Sequence, residues 1–466
     1  MSQAYHEFLK RKTQTAIESG FEAGELNPKL KPFQDAIVRW GLRRGKAAIF
    51  SGCGTGKSIQ QLEWSDKVVR HTNGKVLILA PLAVSTQTVG EGNKFDIEVN
   101  LCKSASDVRK GINITNYEKL DKFDPTIFSG VVGDEAGILK QFDGKTRNKI
   151  IQCFSNTPYK LSCTATPSPN DYPELGNQSE YLGVKSYVEM LSEFFMHDGK
   201  NTSKWMLMRH AQEKFWRWIA SWAVMIRKPS DIGFSDEGYD LPPLNMFDHI
   251  IPAEKPQDGY LFVMDAKTLE DQRLAKRQSL PGRIQKAAEL VASKPNEQWL
   301  IWCDLNDEGD ELQRLIKGSV QIAGRDKDEF KEEAITDFTL NKYNVLITKS
   351  SIAGYGMNLQ NCHNMIFAGL SHSFEMTYQA IRRCWRFGQF NPVDCHIITS
   401  EMEGAIAANI QRKERDMEHM MDEMVKYMSL IMKSNLGSSK HDYTEYNPQL
   451  LIQLPEWLIA NRKDNF

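Results

Sequence analysis

The amino-acid sequence predicts an α/β protein with two tandem domains, each built on a parallel β-sheet flanked by helices. Short apolar runs alternate with helical patterns along the chain, as is typical of strands buried in parallel sheets. These runs fall into two separate blocks, which predicts two sheets rather than one. A length of 466 residues leaves room for about two to four domains of ordinary size.

The predicted strands are short, and helical patterns separate them in both blocks. The first block contains the runs Ala47–Phe50, Val76–Ala80, Ile112–Asn116, Val131–Asp134 and Tyr159–Ala165. The second block contains Trp299–Cys303, Val320–Ala323, Asn344–Lys349, Asn364–Gly369 and Val393–Ser400. We therefore expect two doubly wound sheets with helices on their faces.

Residues outside these runs complete the predicted domain organisation. The segments are an N-terminal helical extension (1–27), a first domain (28–240), a linker (241–280), a second domain (281–400) and a helical C-terminal tail (401–466). Within the first domain, residues 184–222 are interpreted as a helical insertion rich in aromatic side chains. The spacing of these aromatic residues favours packing, although stacking on nucleic-acid bases stays open.

The C-terminal tail has methionines at helical spacing, at positions 417, 420, 421, 424, 428 and 432. The spacing indicates one apolar face of a helix. We expect this face to brace the second domain. The alternative is a surface for self-association or for a protein partner, because methionine suits adaptable contacts.

Composition and charge exclude several classes of protein. Hydrophobic residues make up 41% of the chain and charged residues 25%, which excludes general disorder. A formal net charge of −2 excludes a uniformly basic coat but allows a local basic groove. The eight cysteines form no CxxC pair, so free thiols in a reducing compartment are expected. Neither a signal peptide nor a membrane-spanning run is visible, which predicts a soluble, cytoplasmic protein without membrane contact.

A glycine-rich loop, SGCGTGKS at 51–58, follows the first predicted strand and precedes a helical pattern. Such a backbone can point several N–H groups at phosphate oxygens beside a helix N-terminus. Lys57 would contact the β- and γ-phosphates, and the Ser58 hydroxyl would bind Mg²⁺. The other predicted nucleotide-binding residues of the loop are Gly52, Gly54, Thr55 and Gly56. The first glycine of the usual pattern is replaced by Ser51.

An acidic pair, Asp134 and Glu135, ends the fourth apolar run of the first block. Asp134 would hold Mg²⁺, and Glu135 would act as general base on the attacking water. Together with the loop at 51–58, the pair predicts a nucleoside triphosphatase. A kinase would need an acceptor site on a single such domain, and the second α/β block argues against that.

Three arginines, Arg382, Arg383 and Arg386, lie close together in the run 379–389, on a predicted helix. A planar guanidinium matches phosphate oxygens and stays charged. Across a cleft from Lys57, these arginines would stabilise the transferred phosphoryl group. The alternative is a solvated basic helix face that binds nucleic-acid phosphates.

With these motifs in place, the chain resembles a superfamily-two helicase of the Swi/Snf-like branch, most of all the compact ATPases encoded by tailed bacteriophages. The resemblance covers about residues 28–400. Its elements are LKPFQ at 30–34, LAPL at 79–82, ITNY at 114–117, LSCTATP at 161–167, IAGYGMNL at 352–359 and the arginine run at 379–389. A bacteriophage origin would imply the cytoplasm of a bacterial host.

The resemblance implies two RecA-like domains with ATP between them and a nucleic-acid strand across both. It implies that Gln34 selects adenine, that Gly354 contacts the nucleotide, and that Gln379 senses the γ-phosphate. Arg383 and Arg386 occupy the finger positions. The residues implied to contact nucleic acid or to couple hydrolysis to movement are Pro81, Thr115, Thr164, Thr166 and Asn358. One departure is Gly137, where the wider superfamily usually has Asp or His.

The function predicted from these observations is an ATP-driven translocase on double-stranded DNA that depends on ATP and Mg²⁺. A strand-separating helicase acting on DNA or RNA is one alternative, and single-stranded DNA or RNA is then the partner. An ATP-switched DNA clamp or loader, which binds DNA without sustained movement, is an alternative of another class.

Overall fold

The computed structural model describes residues 18–140, 144–199, 201–252, 276–353, 358–371, 373–401 and 404–437. The helices are α1 (Pro32–Arg44), α2 (Lys57–Thr72), α3 (Leu82–Lys94), α4 (Lys145–Cys153), α5 (Glu174–Leu182), α6 (Tyr187–Phe194), α7 (Gln212–Trp222), α8 (Leu280–Ser293), α9 (Asn306–Leu315), α10 (Asp328–Thr339), α11 (Ser350–Ala353), α12 (Phe374–Cys384) and α13 (Gly404–Gly437). Short 3₁₀ turns cover Ala105–Asp107, Tyr117–Lys122, Pro125–Ile127, Ala136–Lys140, Arg209–Ala211 and Pro229–Ile232. None of the helices within the described ranges is long and apolar enough to cross a membrane.

The strands form two parallel sheets and one hairpin. They are β1 (Lys46–Ser51), β2 (Lys75–Ala80), β3 (Val99–Leu101), β4 (Gly111–Asn116), β5 (Gly130–Asp134), β6 (Tyr159–Cys163), β7 (Phe195–Asp198), β8 (Asn201–Leu207), β9 (Ala223–Ile226), β10 (Leu244–Ile251), β11 (Trp299–Cys303), β12 (Val320–Ile322), β13 (Val345–Lys349), β14 (Asn364–Phe367) and β15 (Val393–Ser400). The first sheet has the order β3-β4-β2-β5-β6-β1-β9, and the second has the order β10-β15-β14-β11-β13-β12.

The first sheet brings three motifs to one edge. Strand β6 pairs in parallel with both β1 and β5, so the carboxyl ends of these strands lie side by side. The glycine-rich loop follows β1, the acidic pair ends β5, and the threonines at 164 and 166 follow β6. Ligands of open α/β sheets bind outside the carboxyl ends of the strands, so this edge is the expected place for a site.

Apolar burial explains why the predicted runs became strands. In β1, residues 47–51 are all buried, and β5 and β11 are buried along their whole length. A strand covered on both faces reads as a continuous apolar run, which is the signal that the sequence carries. All ten predicted strands are present, with bounds that differ by at most two residues.

Three parts of the chain differ from the sequence prediction. The segment predicted as a linker contains β10, which pairs with β15 over its whole length and extends the second sheet. The insertion predicted to be helical contains the antiparallel β7–β8 hairpin between its helices. Residues 18–27, predicted as part of a helical extension, are irregular; there the backbone of Phe21 bonds to the Leu42 carbonyl in α1.

The aromatic side chains of α7 are buried rather than displayed. Phe215, Trp216 and Trp222 are at most 2% exposed, and Trp218 is 7% exposed. They pack with Met420 and other residues in the core on one face of the first sheet. These rings therefore fill the core and offer no free face for stacking on bases.

Helix α13 packs mainly on the first domain and also touches Phe374 at the start of α12 in the second domain. Met417, Met420, Met421 and Met424 lie in the core that includes α7, and Met428 lies in the core on the other face of the first sheet. Arg227 also pairs with Asp422 of the helix at 2.7 Å. The methionines were expected to brace the second domain, but most of their partners belong to the first domain, with Phe374 of α12 joining the same core. Their spacing defines an apolar face but not the partner that covers it.

Candidate nucleotide-binding site at the domain interface

The glycine-rich loop is held in shape by one bond to strand β9 and one from its own threonine side chain. The Gly52 N–H donates to the Ile226 carbonyl at 2.8 Å, and the Thr55 hydroxyl donates to the Gly52 carbonyl at 2.7 Å. Gly54 and Gly56 have φ angles of +92° and +84°, which disfavour any residue with a Cβ atom. Helix α2 begins directly after the loop, at Lys57, so its first free N–H groups lie at the loop.

Gln34 of α1 anchors the same loop. Its Nε2 atom donates to the Thr55 carbonyl at 3.0 Å, and its Oε1 atom accepts from the Lys31 N–H at 2.9 Å. A Cβ atom built on Gly56 would lie 2.2 Å from Gln34 Nε2. The structure therefore places Gln34 against the loop, where its amide bonds to protein backbone.

The acidic pair lies beside Lys57. The Lys57 Nζ atom is 2.6 Å from Glu135 Oε1 and 3.9 Å from Asp134 Oδ1. Burial alone would lower the pKa of Lys57, but the Glu135 and Asp134 carboxylates outweigh it and raise that pKa. Burial is also the main cause that raises the pKa of Asp134, with Lys57 acting in the opposite direction.

Glu135 has a backbone conformation that is rare for its residue type. Its φ angle is +50°, whereas only glycine adopts the left-handed region without cost. Such conformations cluster at functional sites because the surrounding structure must enforce them. Here Tyr117 donates from its hydroxyl to the Asp134 carbonyl at 2.7 Å, and Gln178 Nε2 donates to the Ala136 carbonyl at 2.9 Å. Sequence analysis placed Tyr117 in the ITNY element but predicted neither of these contacts, since neither is local in the chain.

Helix α12 of the second domain faces the loop from across the interface. Arg382 Nη2 donates to the Cys53 carbonyl at 2.6 Å. Arg383 Nη2 donates to Gln379 Oε1 at 2.7 Å, and its Nε atom donates to the Gln379 carbonyl. Arg382 thus bonds directly to the loop, while the assignment of Arg383 and Arg386 to the finger positions stays a prediction.

Gln379 in α12 and Arg386, two residues after the helix, are the groups that could meet an anion. Gln379 is 1% exposed, and its Nε2 atom finds no acceptor within the described ranges, while its Oε1 atom lies 3.7 Å from Cys53 Sγ. Arg386 is half-buried; burial, and then the charge of Arg383, lower its pKa. A phosphate group bound at the loop would supply the acceptor that the Gln379 amide lacks.

A second pair of contacts joins the domains beside Gly137. Thr166 Oγ1 donates to Glu375 Oε1 at 3.2 Å, and Lys140 Nζ donates to Glu375 Oε2 at 2.6 Å. Glu375 belongs to the first turn of α12, whereas Thr166 and Lys140 belong to the first domain. Sequence reasoning did not single out Glu375 or Lys140.

A cavity of about 530 Å³ adjoins the loop on the side of α13. Its lining includes Gly52, Tyr239, Arg382 and Phe387. The Tyr239 and Phe387 rings meet edge to face at 4.8 Å, and a Cβ atom built on Gly54 would lie 2.6 Å from Phe387. The second domain thus approaches the loop closely enough to require a glycine there.

The residues assigned to nucleic-acid contact or coupling have different environments. Thr115 is buried, with its hydroxyl bonded to the Cys102 carbonyl at 2.9 Å, and buried Thr164 accepts from the Thr166 N–H. Pro81 is half-buried where α3 begins, and Asn358 is exposed. Gly354 lies outside the described residues. Ser58 is half-buried in the first turn of α2.

Residues 282–388 match the family model of the helicase conserved C-terminal domain. The SWI2/SNF2 ATPase core of Sulfolobus solfataricus in complex with dsDNA is a similar solved structure, at 18% identity and a TM-score of 0.42, over 89% of this chain and 97% of that chain. The comparison with curated proteins found no match.

The family match covers α8 to α12, including the helix that contacts the loop. The predicted fold class, two RecA-like α/β domains with parallel sheets flanked by helices, is confirmed. The specific likeness to bacteriophage ATPases stays a prediction. The family match supports a helicase C-terminal domain in the second half of the chain.

Proposed function

We propose that this protein is a nucleic-acid-dependent ATPase that moves along double-stranded DNA by ATP-driven closure of its two domains. The observation that carries the proposal is the bond between Arg382 of the second domain and the Cys53 carbonyl of the glycine-rich loop. A nucleotide at the loop would contact both domains, so its binding and hydrolysis would change their separation.

The site fits a nucleoside triphosphate with Mg²⁺. The loop offers backbone N–H groups at the start of α2, and Gln379 Nε2 offers a buried donor without an acceptor among the described residues. Ser58 and Asp134 would hold the Mg²⁺, with Asp134 almost fully buried at the end of β5. When bound, the ion would neutralise charge on the β- and γ-phosphate oxygens.

Nucleotide binding would rearrange the ion pair of Lys57. The ammonium group now bonds to Glu135 at 2.6 Å, and phosphate oxygens would compete for it. Once released, the Glu135 carboxylate can accept a proton from the attacking water. Arg383 and Arg386 would stabilise the charge on the transferred phosphoryl group.

The preference for double-stranded DNA rests on the resemblance of the motifs to Swi/Snf-like ATPases. Movement without strong sequence preference would follow if the protein grips mainly phosphates, because backbone contacts carry little sequence information. With a formal net charge of −2, the grip must come from a local arrangement of basic side chains.

A strand-separating helicase is the second candidate, and the β7–β8 hairpin favours it. Separation of strands needs a rigid element that enters between them. The hairpin displays Met196 and Met206, which are 55% and 52% exposed, and the His197 and Trp205 rings contact each other at 3.8 Å. Apolar side chains on such an element could unstack a base pair.

The test is ATP turnover by the full chain and by Lys57→Ala, alone and with double-stranded DNA, single-stranded DNA or RNA. Stimulation by the duplex in the wild type, absent in the variant, is the expected result. Stimulation mainly by single strands or RNA would favour the strand-separating helicase. ATP binding without turnover under any condition would overturn the motor and leave an ATP-switched clamp or loader.

A further inference from the structure

What distinguishes Gly137 is the side chain that lies next to it, not its backbone conformation. Its φ angle is outside the positive region that favours glycine. A Cβ atom built on Gly137 would lie 2.5 Å from Glu375 Oε1, closer than real Cβ atoms approach any neighbour. The space that a side chain at position 137 would need is therefore filled by a carboxylate from the second domain.

The Glu375 carboxylate is bound at this place by groups of the first domain. Its side chain is 8% exposed, and it accepts from Lys140 Nζ at 2.6 Å and from Thr166 Oγ1 at 3.2 Å. Burial of a carboxylate costs free energy unless cations and donors compensate. Since both partners belong to the first domain, this compensation exists only while the domains are together.

The partners of Glu375 are themselves tied to the nucleotide site. Lys140 ends the 3₁₀ turn that follows Glu135, and Thr166 follows β6, which pairs with β5. On the other side, Glu375 lies four residues before Gln379, which places both on one face of α12. The Ser373 hydroxyl caps this helix by accepting from the Met376 N–H.

We infer that Glu375 is a positioning residue that links domain closure to assembly of the ATPase site. On closure its carboxylate enters the space beside Gly137 and bonds to Thr166 and Lys140. The same rigid helix then holds Gln379 and Arg382 at the glycine-rich loop. The second domain thus supplies the side chain that the wider superfamily has at position 137. This inference rests on the proposed ATPase function.

The first test compares Glu375→Gln, Lys140→Met and the double variant, with DNA-stimulated kcat and the KM for ATP as readouts. Loss of one charge-assisted hydrogen bond corresponds to a factor of about 10–100, so we expect kcat to fall by about that factor. The KM for ATP should change less than about threefold, because Glu375 does not contact the loop. The double variant should be about as active as either single variant, since both changes remove one interaction.

Glu311→Gln is the matched control. Glu311 forms an ion pair with Arg314 at 2.6 Å on the surface of the second domain, and its side chain is 43% exposed. This substitution should leave kcat and KM as in the wild type. The inference would be overturned if the losses of the two single variants added up in the double variant, or if Glu375→Gln kept the kcat of the wild type. Neither outcome affects the proposed function, which depends on DNA-stimulated turnover by the wild type.

The second test returns the carboxylate to position 137. Gly137→Asp should inactivate the protein, because the new carboxylate would clash with Glu375 and repel it. The double variant Gly137→Asp with Glu375→Ala should have a kcat at least about tenfold higher than that of Gly137→Asp alone. Relief of the clash alone would restore at most the activity of Glu375→Ala, so the double variant should exceed that single variant, and a double variant no more active than Glu375→Ala contradicts the inference.

A third readout does not depend on turnover. Small-angle X-ray scattering with a non-hydrolysable ATP analogue should show a compact wild type and a more extended Glu375→Gln variant. If the wild type binds the analogue but hydrolyses no ATP, the proposed function fails. The scattering comparison still decides whether Glu375 holds the domains together, and equal compactness of both proteins would refute it.

Discussion

Lys57 and Glu135 form an ion pair that a nucleotide bound as proposed would break. We expect Glu135→Gln to lower kcat by about 10²–10⁴-fold, because the general base is lost. The affinity for ATP should be equal or higher, since a neutral amide no longer competes for the Lys57 ammonium. Turnover assays and titration with a fluorescent ATP analogue measure the two effects. Retention of turnover within tenfold of the wild type would exclude Glu135 as the base.

Glu174 of α5 gives the protein a pH dependence of stability. Burial raises its pKa from 4.5 to about 7, although two bonds from Asn170 act in the opposite direction. The folded state therefore binds a proton more readily than the unfolded state, and stability falls as pH rises from about 4.5 to 7.

A neutral side chain at position 174 should remove this fall in stability with rising pH. We expect Glu174→Gln to raise the apparent Tm relative to the wild type at pH 8 and to have a smaller effect at pH 5. Thermal unfolding across this pH range measures the difference. A Tm difference that does not change with pH would show that Glu174 titrates normally.

Helix α13 carries part of the core of the first domain, although it follows the second domain in the chain. Met420 is fully buried among the aromatic residues of α7. Met420→Ala should lower the free energy of unfolding by about 2–5 kcal/mol, as for other buried large-to-small changes. Tryptophan fluorescence during urea unfolding reports this loss. Lys426→Ala, on the exposed side of the helix, should stay within about 0.5 kcal/mol of the wild type.

The elements that the sequence predicted are those buried on both faces. Strand β10 was missed because it lies at the edge of its sheet, with Met246, Phe247 and Ile250 exposed among polar residues. The linker was predicted from the prolines that precede this strand and the polar stretch that follows it, whereas pairing with β15 makes it a strand. The β7–β8 hairpin was missed for a similar reason, since two strands in a small sheet bury little apolar surface.

The predicted part of the site is the part that is local in the chain. Spacing alone identified the glycine-rich loop and the acidic pair, because each motif folds as one turn. The bonds from Arg382 to Cys53 and from Lys140 to Glu375 join residues 329 and 235 positions apart. Such contacts depend on how the two domains pack together, and no local pattern in a single sequence reports that packing.

The molecule as a whole is nearly neutral, so binding to DNA phosphates would need a local group of basic side chains. The salt dependence of DNA binding tests for such phosphate contacts. If the protein contacts about 6–10 phosphates, its affinity for a duplex should fall by about 10³–10⁵ between 50 and 200 mM salt. Fluorescence anisotropy with two duplexes of unrelated sequence should give equal slopes. Weak salt dependence together with a strong preference for one sequence would argue against a phosphate grip.

The path of the chain through α13 has a mechanical consequence. The polypeptide leaves the first domain before β10 and, after β15, returns to it through α13, whose methionines are embedded there. The second domain is therefore attached at two points rather than one. A body with one attachment can turn about any axis, whereas a body with two turns about the line that joins them. Each ATP cycle would then swing the second domain along one fixed arc, which favours strokes of constant length and direction.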